Sequence, residues 1–594
     1  MLKLSEQLNQ ICGDAFEKAG LDAGFGHVNL SNRPDLCEYQ CNGALALAKQ
    51  MRCRPMELAE KAAEELKKSP AFCKAEACMP GFINLDVSPD YLNGYLREMA
   101  ESESGGLVME EKPQRIIVDY GGANVAKPLH VGHLRSAVIG EALKRIGRAL
   151  GNETIGDVHL GDWGLQMGLI IEELKDRKQT EFSIADLEEI YPAASAKSKE
   201  TDENGQLTKK ALAFRERALR STGLLQSGDE ACMAVWKRIM ALSLEDLKKN
   251  YDALNVSFEL WKGESDVQKY IPEMLEDFVN RGIAYESQGA LVVDVQQEGD
   301  SKELPPCIVR KSDGASLYAT TDLATLVERE LLYQPDAYIY VADQRQSLHY
   351  LSFFRVAKKA GIVREDQSLR FLGFGTMNGK DGKPFKTRAG GVMRLEHLIA
   401  DINEKVYEKI RESRSEEELP EAEAREIAGI IGLAALKYGD LSNQAAKDYI
   451  FDLDRFTSFE GNTGPYILYT IVRIGSILCK YQGAENVGDL KEGLETQADF
   501  APAIAAAPSG KALALALSRY SEAVLAAWQE LAPHKLCQYI YEVSNDFNSF
   551  YHDVKILSEE DEEKKQSCIA LLALTRKILL SCIDMLGFEA PAMM

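Results

Sequence analysis

The sequence predicts a multidomain α/β plus α protein. A doubly wound, Rossmann-like parallel-sheet domain stands at its centre, with an α/β N-terminal domain before it and an α-helical bundle C-terminal domain after it. Three observations carry that expectation. The chain has 594 residues, several times an ordinary domain. Short β-branched runs alternate with helical patterns between about 113 and 400. Beyond about 401 apolar residues recur at helical spacing and no convincing strand is found.

Each part can be justified in chain order. Residues 1–110 open on MLKLSEQLNQICGDAFEKAG, an amphipathic helical pattern, and close on PGFINLDVSPDYL, a Pro-Gly turn into a strand and then a helix start. The polar stretch ESESGGLVMEEKPQ reads as a linker. Residues 113–400 contain the strand-like runs RIIVDY, NETIGDVHL, AYIYVAD and LRFLGFG. Between about 176 and 290 the pattern becomes mainly helical and charged, as expected of an insertion or long crossover in the sheet. In residues 401–594, GPYILYTIVRIGSILCKY sets Ile467, Ile471, Ile474 and Leu478 on one helical face, the pattern of a bundle.

Composition narrows the function classes. With 45% hydrophobic and 27% charged residues the chain is an ordinary globular sequence, without the bias of long disorder. No apolar run reaches the roughly 18 residues a membrane span needs, and the N-terminus has neither the basic start nor the apolar block of a signal peptide. A cytoplasmic location is expected. The 12 cysteines are scattered with no Cys-x-x-Cys, so reduced core thiols are expected rather than disulfides or zinc ligands. A net charge of -23 argues against a nucleic-acid coat protein but leaves room for a local basic face. Lys144-Arg145 with Arg148, and Arg355 with Lys358-Lys359, read individually as solvated helix faces.

The chemistry concentrates in two stretches. In NVAKPLHVGHLRS, residues 124–136, His130 and His133 flank Gly132 where a strand hands over to a helix. Histidines three apart at a helix start share a face with free backbone N–H groups and the positive end of the helix dipole, which suits a polyanion. Gly132 would admit a close ligand, and Lys127 adds a mobile cation. A zinc-ligand pair, or two surface histidines, fits this local spacing as well. No Gly-x-x-x-x-Gly-Lys-Ser/Thr occurs, so a nucleotide bound here would not use a P-loop. The second stretch, GKDGKPFKTRAGG at 379–391, follows LRFLGFG and sets Lys380, Lys383, Lys386 and Arg388 among glycines. Clustered cations on flexible backbone suit a loop closing over a triphosphate, against the plainer reading of a basic surface turn.

At this point the sequence resembles a known family. His130-Val-Gly-His133 resembles the His-Ile-Gly-His signature of class I aminoacyl-tRNA synthetases, and ANVAKPLHVGHLRS with GKDGKPFKTRAGG resembles arginyl-tRNA synthetases in particular. The likeness runs end to end through YQCNGALALAK, DGASLYATTDLAT, VADQRQSLHY and the C-terminal FEAPAMM. It departs from the class pattern in two places. The closing loop reads Lys383-Pro-Phe-Lys-Thr-Arg-Ala in place of Lys-Met-Ser-Lys-Ser, with Lys127 as the family's substitute for the absent second lysine. Gly121-Gly122-Ala123 stands where serines are common.

The resemblance implies ATP-dependent ligation of arginine to its cognate tRNA through an arginyl-adenylate. ATP, taken with magnesium, and L-arginine would be the small substrates, with neither zinc nor a prosthetic group. His130, Gly132 and His133, with Lys127, Lys383, Lys386 and Arg388, would bind ATP and stabilise the reacting phosphates. Asp119, Asn124, Tyr318, Asp322 and Gln346 would form the arginine pocket. A guanidinium presents five donors in a planar fork, so carboxylates and carbonyl acceptors are its natural partners. Apart from the family, Asp322 reads as a helix N-cap and Tyr318 as a core aromatic. The resemblance further implies a C-terminal domain that binds the anticodon arm, an N-terminal domain that touches the outer corner of tRNA, arginine activation that waits for tRNA, and a monomer. A nucleotidyltransferase of the His-x-Gly-His type, or an idle tRNA-binding paralogue, is a rival reading. The first would not need the long terminal domains, and the second would not need the intact histidines and basic loop.

Overall fold

The structure is a computed structural model that describes residues 1–312, 314, 316–383, 393–490, 493, 496, 500 and 507–594. It comprises two compact units. One is built from Met1–Glu110, Ser458–Asp584 and Glu589–Met594, the other from Glu111–Thr457 and Met585–Phe588.

The first unit contains a four-stranded antiparallel sheet of β1 (Val28–Leu30), β2 (Tyr39–Cys41), β3 (Phe72–Cys78) and β4 (Phe82–Val87), in the order β1-β2-β4-β3. Leu4–Lys18 and Pro55–Leu66 are the helices whose apolar stripes, Leu8, Cys12 and Phe16 on one and Leu58, Ala62 and Leu66 on the other, are buried. Among its other described elements are the helices Gly464–Gln482 and Pro533–Asp553 and most of Glu562–Met585. Ile467, Ile471, Ile474 and Leu478 are all buried on their helix, as their spacing predicts.

The second unit holds the parallel sheet. Its strands are β5 (Arg115–Asp119), β6 (Glu153–Asp157), β10 (Ala337–Asp343) and β11 (Ser368–Phe374), in the order β11-β10-β5-β6 with every pairing parallel. The intervening β7 (Tyr285–Ser287), β8 (Ala290–Val293) and β9 (Cys307–Arg310) form a separate antiparallel sheet. β-branched and aromatic residues fill the parallel strands because both faces are covered. Helix Tyr318–Leu332 precedes β10 and helix Ser347–Ala360 follows it, and Ile117, Leu323, Tyr338, Tyr340, Phe353 and Val356 share one core. The β5–β6 crossover helix, Val131–Ala149, lies close on the sheet. A Cβ added at Gly140 would stand 2.2 Å from the Tyr120 ring, so only glycine fits there. Helices Ile184–Lys199, Lys209–Gln226 and Glu230–Ala253 follow β6.

Two expectations need correction. A strand does occur beyond 401: β13 (Tyr449–Ile450) pairs in parallel with β12 (Met377–Asn378). Two residues are too few to show a period-2 pattern. Lys144 is not on a solvated face. It is fully buried, with Nζ 3.0 Å from Glu141 Oε2, because the crossover helix is covered on that side as well. All twelve cysteines are free, and all but Cys53, Cys73 and Cys78 are buried. Among the described residues no helix is long and apolar enough to cross a membrane.

Candidate active site

The site is organised by the turn leaving β5. Gly121 takes a left-handed φ of 78°. A Cβ there would lie 2.8 Å from Phe258 Cζ, which gives a physical reason for glycine where serine was the family's expectation. Its N–H donates to Ser136 Oγ at 2.8 Å and its carbonyl accepts from the Tyr251 hydroxyl at 2.6 Å. Farther along, Val125 N–H donates to the Gly161 carbonyl at 3.2 Å, and Gly161 N–H to the Ala123 carbonyl at 3.1 Å. The turn is thereby stitched to the segment after β6. Asn124 is exposed at this join, and a Cβ on Gly161 would stand 2.3 Å from its Oδ1.

His130 is the N-cap of helix Val131–Ala149, and the two histidines lock each other. Gly132 N–H donates to His130 Nδ1 at 3.0 Å, His130 N–H donates to His133 Nδ1 at 3.2 Å, and the ring centroids are 4.0 Å apart. A Cβ on Gly132 would lie 2.7 Å from His130 Cε1, so the glycine makes room for the capping ring. Because each Nδ1 accepts a hydrogen bond, each neutral ring carries its proton on Nε2 and offers that N–H as a donor. Burial, with Lys127 second, lowers the His130 pKa; burial, with His130 second, takes His133 down to about 3. At neutral pH the pair is therefore two neutral donors at the positive end of a helix rather than two cations.

Cations are supplied from elsewhere. The Lys127 ammonium lies 4.4 Å from the centroid of the Tyr191 ring. Lys383 is exposed in the turn after β12, where Gly379 N–H donates to its carbonyl at 2.8 Å. Lys386 and Arg388 lie outside the described residues. The chain then returns to the histidines: Val131 N–H donates to the Met393 carbonyl at 3.1 Å and Leu395 N–H to the Leu129 carbonyl at 3.0 Å. Arg394 pairs with Glu188 on helix Ile184–Lys199.

A set of carboxylates gathers at the carboxyl ends of the same strands. Asp119 ends β5 and Asp157 ends β6, and Arg329 binds both, at 2.5 Å and 2.6 Å through Nη2, while its Nη1 lies 3.1 Å from the Tyr340 hydroxyl. Burial raises the Asp119 pKa against the pull of Arg329. Asp322 lies within helix Tyr318–Leu332 and not at its N-cap, with Oδ2 2.6 Å from His349 Nε2. Tyr318, at the first position of that helix, is 72% exposed and so is no core aromatic. Partial burial of its hydroxyl end, and after it the Glu264, Tyr191 and Asp322 charges, raise its pKa. Gln346 is exposed in the turn that leads from β10 into the helix carrying His349.

Several residues of this cluster escape a reading of the sequence. The Glu264 carboxyl pKa is pushed up to about 7, first by burial and then, against the opposing pull of His159, by Asp162 and Asp322. Asp162 accepts from Ser265 N–H at 3.0 Å and from Ser265 Oγ at 2.6 Å, and His159 Nε2 is 3.3 Å from Thr325 Oγ1. His159 and Asp162 had a signal, since VHLGD follows directly on the β6 run at the sheet edge where ligands bind. His349 stands three residues beyond Gln346. Glu264 gave none, because an acidic residue at a helix start ordinarily answers the helix dipole.

A parallel sheet with a neutral donor pair on a helix N-terminus, Lys127 near it and a cluster of carboxylates at the same sheet edge is the arrangement of an α/β enzyme that takes its ligands at the carboxyl ends of its strands. The sequence matches three family models: tRNA synthetases class I (R), catalytic domain, over residues 99–453; DALR anticodon binding domain over 467–594; and arginyl tRNA synthetase N terminal domain over 3–87. Similar relatives include an arginine–tRNA ligase of Agathobacter rectalis, 53% identical, and one of Alkaliphilus oremlandii, 49% identical, each over 100% of both chains. Among solved structures, the arginyl-tRNA synthetases of Plasmodium falciparum (TM-score 0.78, 23% identity) and Thermus thermophilus (TM-score 0.76, 21% identity) match over 100% of both chains and speak for the fold. The chain belongs to the arginyl-tRNA synthetase family.

Proposed function

We propose that the two halves of this site divide the work of charging tRNA with arginine. The chain is an arginine–tRNA ligase of class I: arginine and ATP give an arginyl-adenylate and pyrophosphate, and the arginyl group passes to the terminal adenosine of the cognate tRNA. The arginine carboxylate attacks the α-phosphate in line with departing pyrophosphate, so the protein's task is positioning and charge stabilisation. His130 and His133 donate their Nε2–H groups to phosphate oxygens as negative charge develops, and the helix N-terminus adds its dipole. Lys127, Lys383, Lys386 and Arg388 neutralise pyrophosphate, and Gly132 keeps the nucleotide close to the backbone. Magnesium arrives with ATP as part of the substrate.

Asp322, Tyr318, Asp119, Asn124 and Gln346 receive arginine, with Glu264 adding negative charge. The observation that carries this reading is the half-buried, mutually repelling carboxylate set around Glu264 and Asp322, because a guanidinium supplies the counter-charge that relieves the repulsion. Citrulline and lysine, lacking the charge or the fork, should be rejected by about 10⁴-fold or more. The domain matching the anticodon-binding family takes the anticodon arm, the N-terminal domain takes the outer corner of tRNA, and bound tRNA precedes arginine activation. The enzyme is monomeric and cytoplasmic in this reading. Asp322→Ala tests it: the arginine KM should rise by about 10²-fold or more while the ATP KM stays near wild type. Equal losses for both substrates would remove Asp322 from the pocket.

A further inference from the structure

We propose that His349 is a positioning residue for arginine: by donating from Nε2 to one oxygen of Asp322, it fixes the plane of that carboxylate and leaves the other oxygen to the substrate guanidinium. The inference rests on the reading of Asp322 as an arginine acceptor.

The geometry is specific. Asp322 Oδ2 lies 2.6 Å from His349 Nε2, and the ionised carboxylate can only accept, so Nε2 carries the proton. Among the described residues no hydrogen-bond donor reaches Asp322 Oδ1, and the two side chains are about equally open, at 27% and 29% exposure. A carboxylate at the end of a short side chain turns freely about a broad terminal torsion. The His349 ring does not turn in the same way, because its centroid lies 5.4 Å from that of Tyr350 and 5.5 Å from that of Phe353 on its own helix. It therefore acts as a fixed donor on a different element from the carboxylate it holds, helix Ser347–Ala360 against helix Tyr318–Leu332.

Fixing the plane matters for this substrate and little for its rivals. A guanidinium is a planar fork whose N–H groups must meet oxygen lone pairs in one orientation, whereas an ammonium is a point charge that any rotamer of the carboxylate satisfies. His349 thus converts a generic negative charge into an acceptor with a direction. It also takes up one oxygen, so the substrate meets a single predetermined lone-pair set.

The test uses the full chain with cognate tRNA, comparing His349→Phe, His349→Gln and Asp322→Asn in arginine-dependent exchange of labelled pyrophosphate into ATP, with lysine as the alternative amino acid. Phenylalanine keeps the ring packing and removes the donor, while the glutamine amide can still donate. The arginine KM should rise about 10- to 100-fold in His349→Phe with the ATP KM within about twofold, and His349→Gln should return to within about fivefold of wild type. The ratio of arginine to lysine activity should fall in His349→Phe alone of the two. A wild-type arginine KM in His349→Phe overturns the proposal, as does a His349→Gln enzyme no better than His349→Phe, or a parallel loss for arginine and ATP. If Asp322→Asn raises the arginine KM and His349→Phe does not, only the role of His349 fails. If Asp322→Asn leaves the arginine KM untouched, the pocket assignment fails with it.

Discussion

Replacing Arg329 by methionine should cost the catalytic unit about 3–5 kcal/mol, because it strips the shared partner from two buried carboxylates. Arg329 Nη2 stands 2.5 Å from Asp119 Oδ2 and 2.6 Å from Asp157 Oδ2, and its side chain is 1% exposed. Charges about 4 Å apart in an effective dielectric constant near 20 attract by about 4 kcal/mol, so the two pairs give a gross of about 8 kcal/mol. Desolvation of three ions offsets most of that while the triad is intact. Removing the guanidinium leaves the desolvation in place and sets two like charges against each other. The carboxyls then hold a proton more tightly when folded than when unfolded, so the deficit should shrink as the pH falls from 7 towards 5. Urea unfolding followed by tryptophan fluorescence reads this, since Trp163, Trp236 and Trp261 lie in the Glu111–Thr457 unit and Trp528 does not. The arginine KM should rise in the same variant through displacement of Asp119. An Arg329→Met protein that unfolds at the wild-type urea concentration, with the same pH dependence, would mean that Arg329 does not hold the two carboxylates in the fold.

Three further outcomes are expected. His133→Ala should lower kcat for pyrophosphate exchange by about 10²- to 10³-fold with little change in unfolding midpoint, and wild-type exchange should not decline between pH 6 and 8 through His133, which is already neutral with its pKa held at about 3. A rate falling across that window and flattened by the mutation would mean that the cationic form acts. Lys437 is wholly buried with its pKa lowered by desolvation to about 7, and its Nζ donates to the Gly587 carbonyl at 2.7 Å. The unfolded chain binds this proton more tightly than the folded one, so wild-type stability should gain about 2 kcal/mol between pH 7 and 9, a gain that Lys437→Met should lack. Gly140→Ala should destabilise by about 1–3 kcal/mol or more, read as the unfolding midpoint, because its Cβ would meet the Tyr120 ring at 2.2 Å.

Much of the sheet was legible because its signals are local. RIIVDY, AYIYVAD and LRFLGFG are β-branched or aromatic runs of strand length, and they became β5, β10 and β11. The start of the histidine helix could be placed because a strand run ends a few residues earlier and apolar spacing begins at Leu134. Long-range packing was not legible. Nothing around Lys144 tells that the Ser257 segment covers it, and β13 exists only because Met377–Asn378 lies beside it. In the site, Asp322 and Tyr318 carried their local alternatives of cap and core, and only the fold moved the first into mid-helix and left the second exposed. Arg329, Glu264 and His349 act through partners distant in sequence, 210 residues away in the case of Arg329 and Asp119, so no spacing could announce them.

Activation of arginine on ATP is the step this site is proposed to perform, and exchange of labelled pyrophosphate into ATP measures it directly. With the full chain, exchange should require both arginine and cognate tRNA, and citrulline should not replace arginine. A folded preparation that still binds tRNA yet shows no arginine-dependent exchange, with or without that tRNA, would mean that the site does not activate arginine.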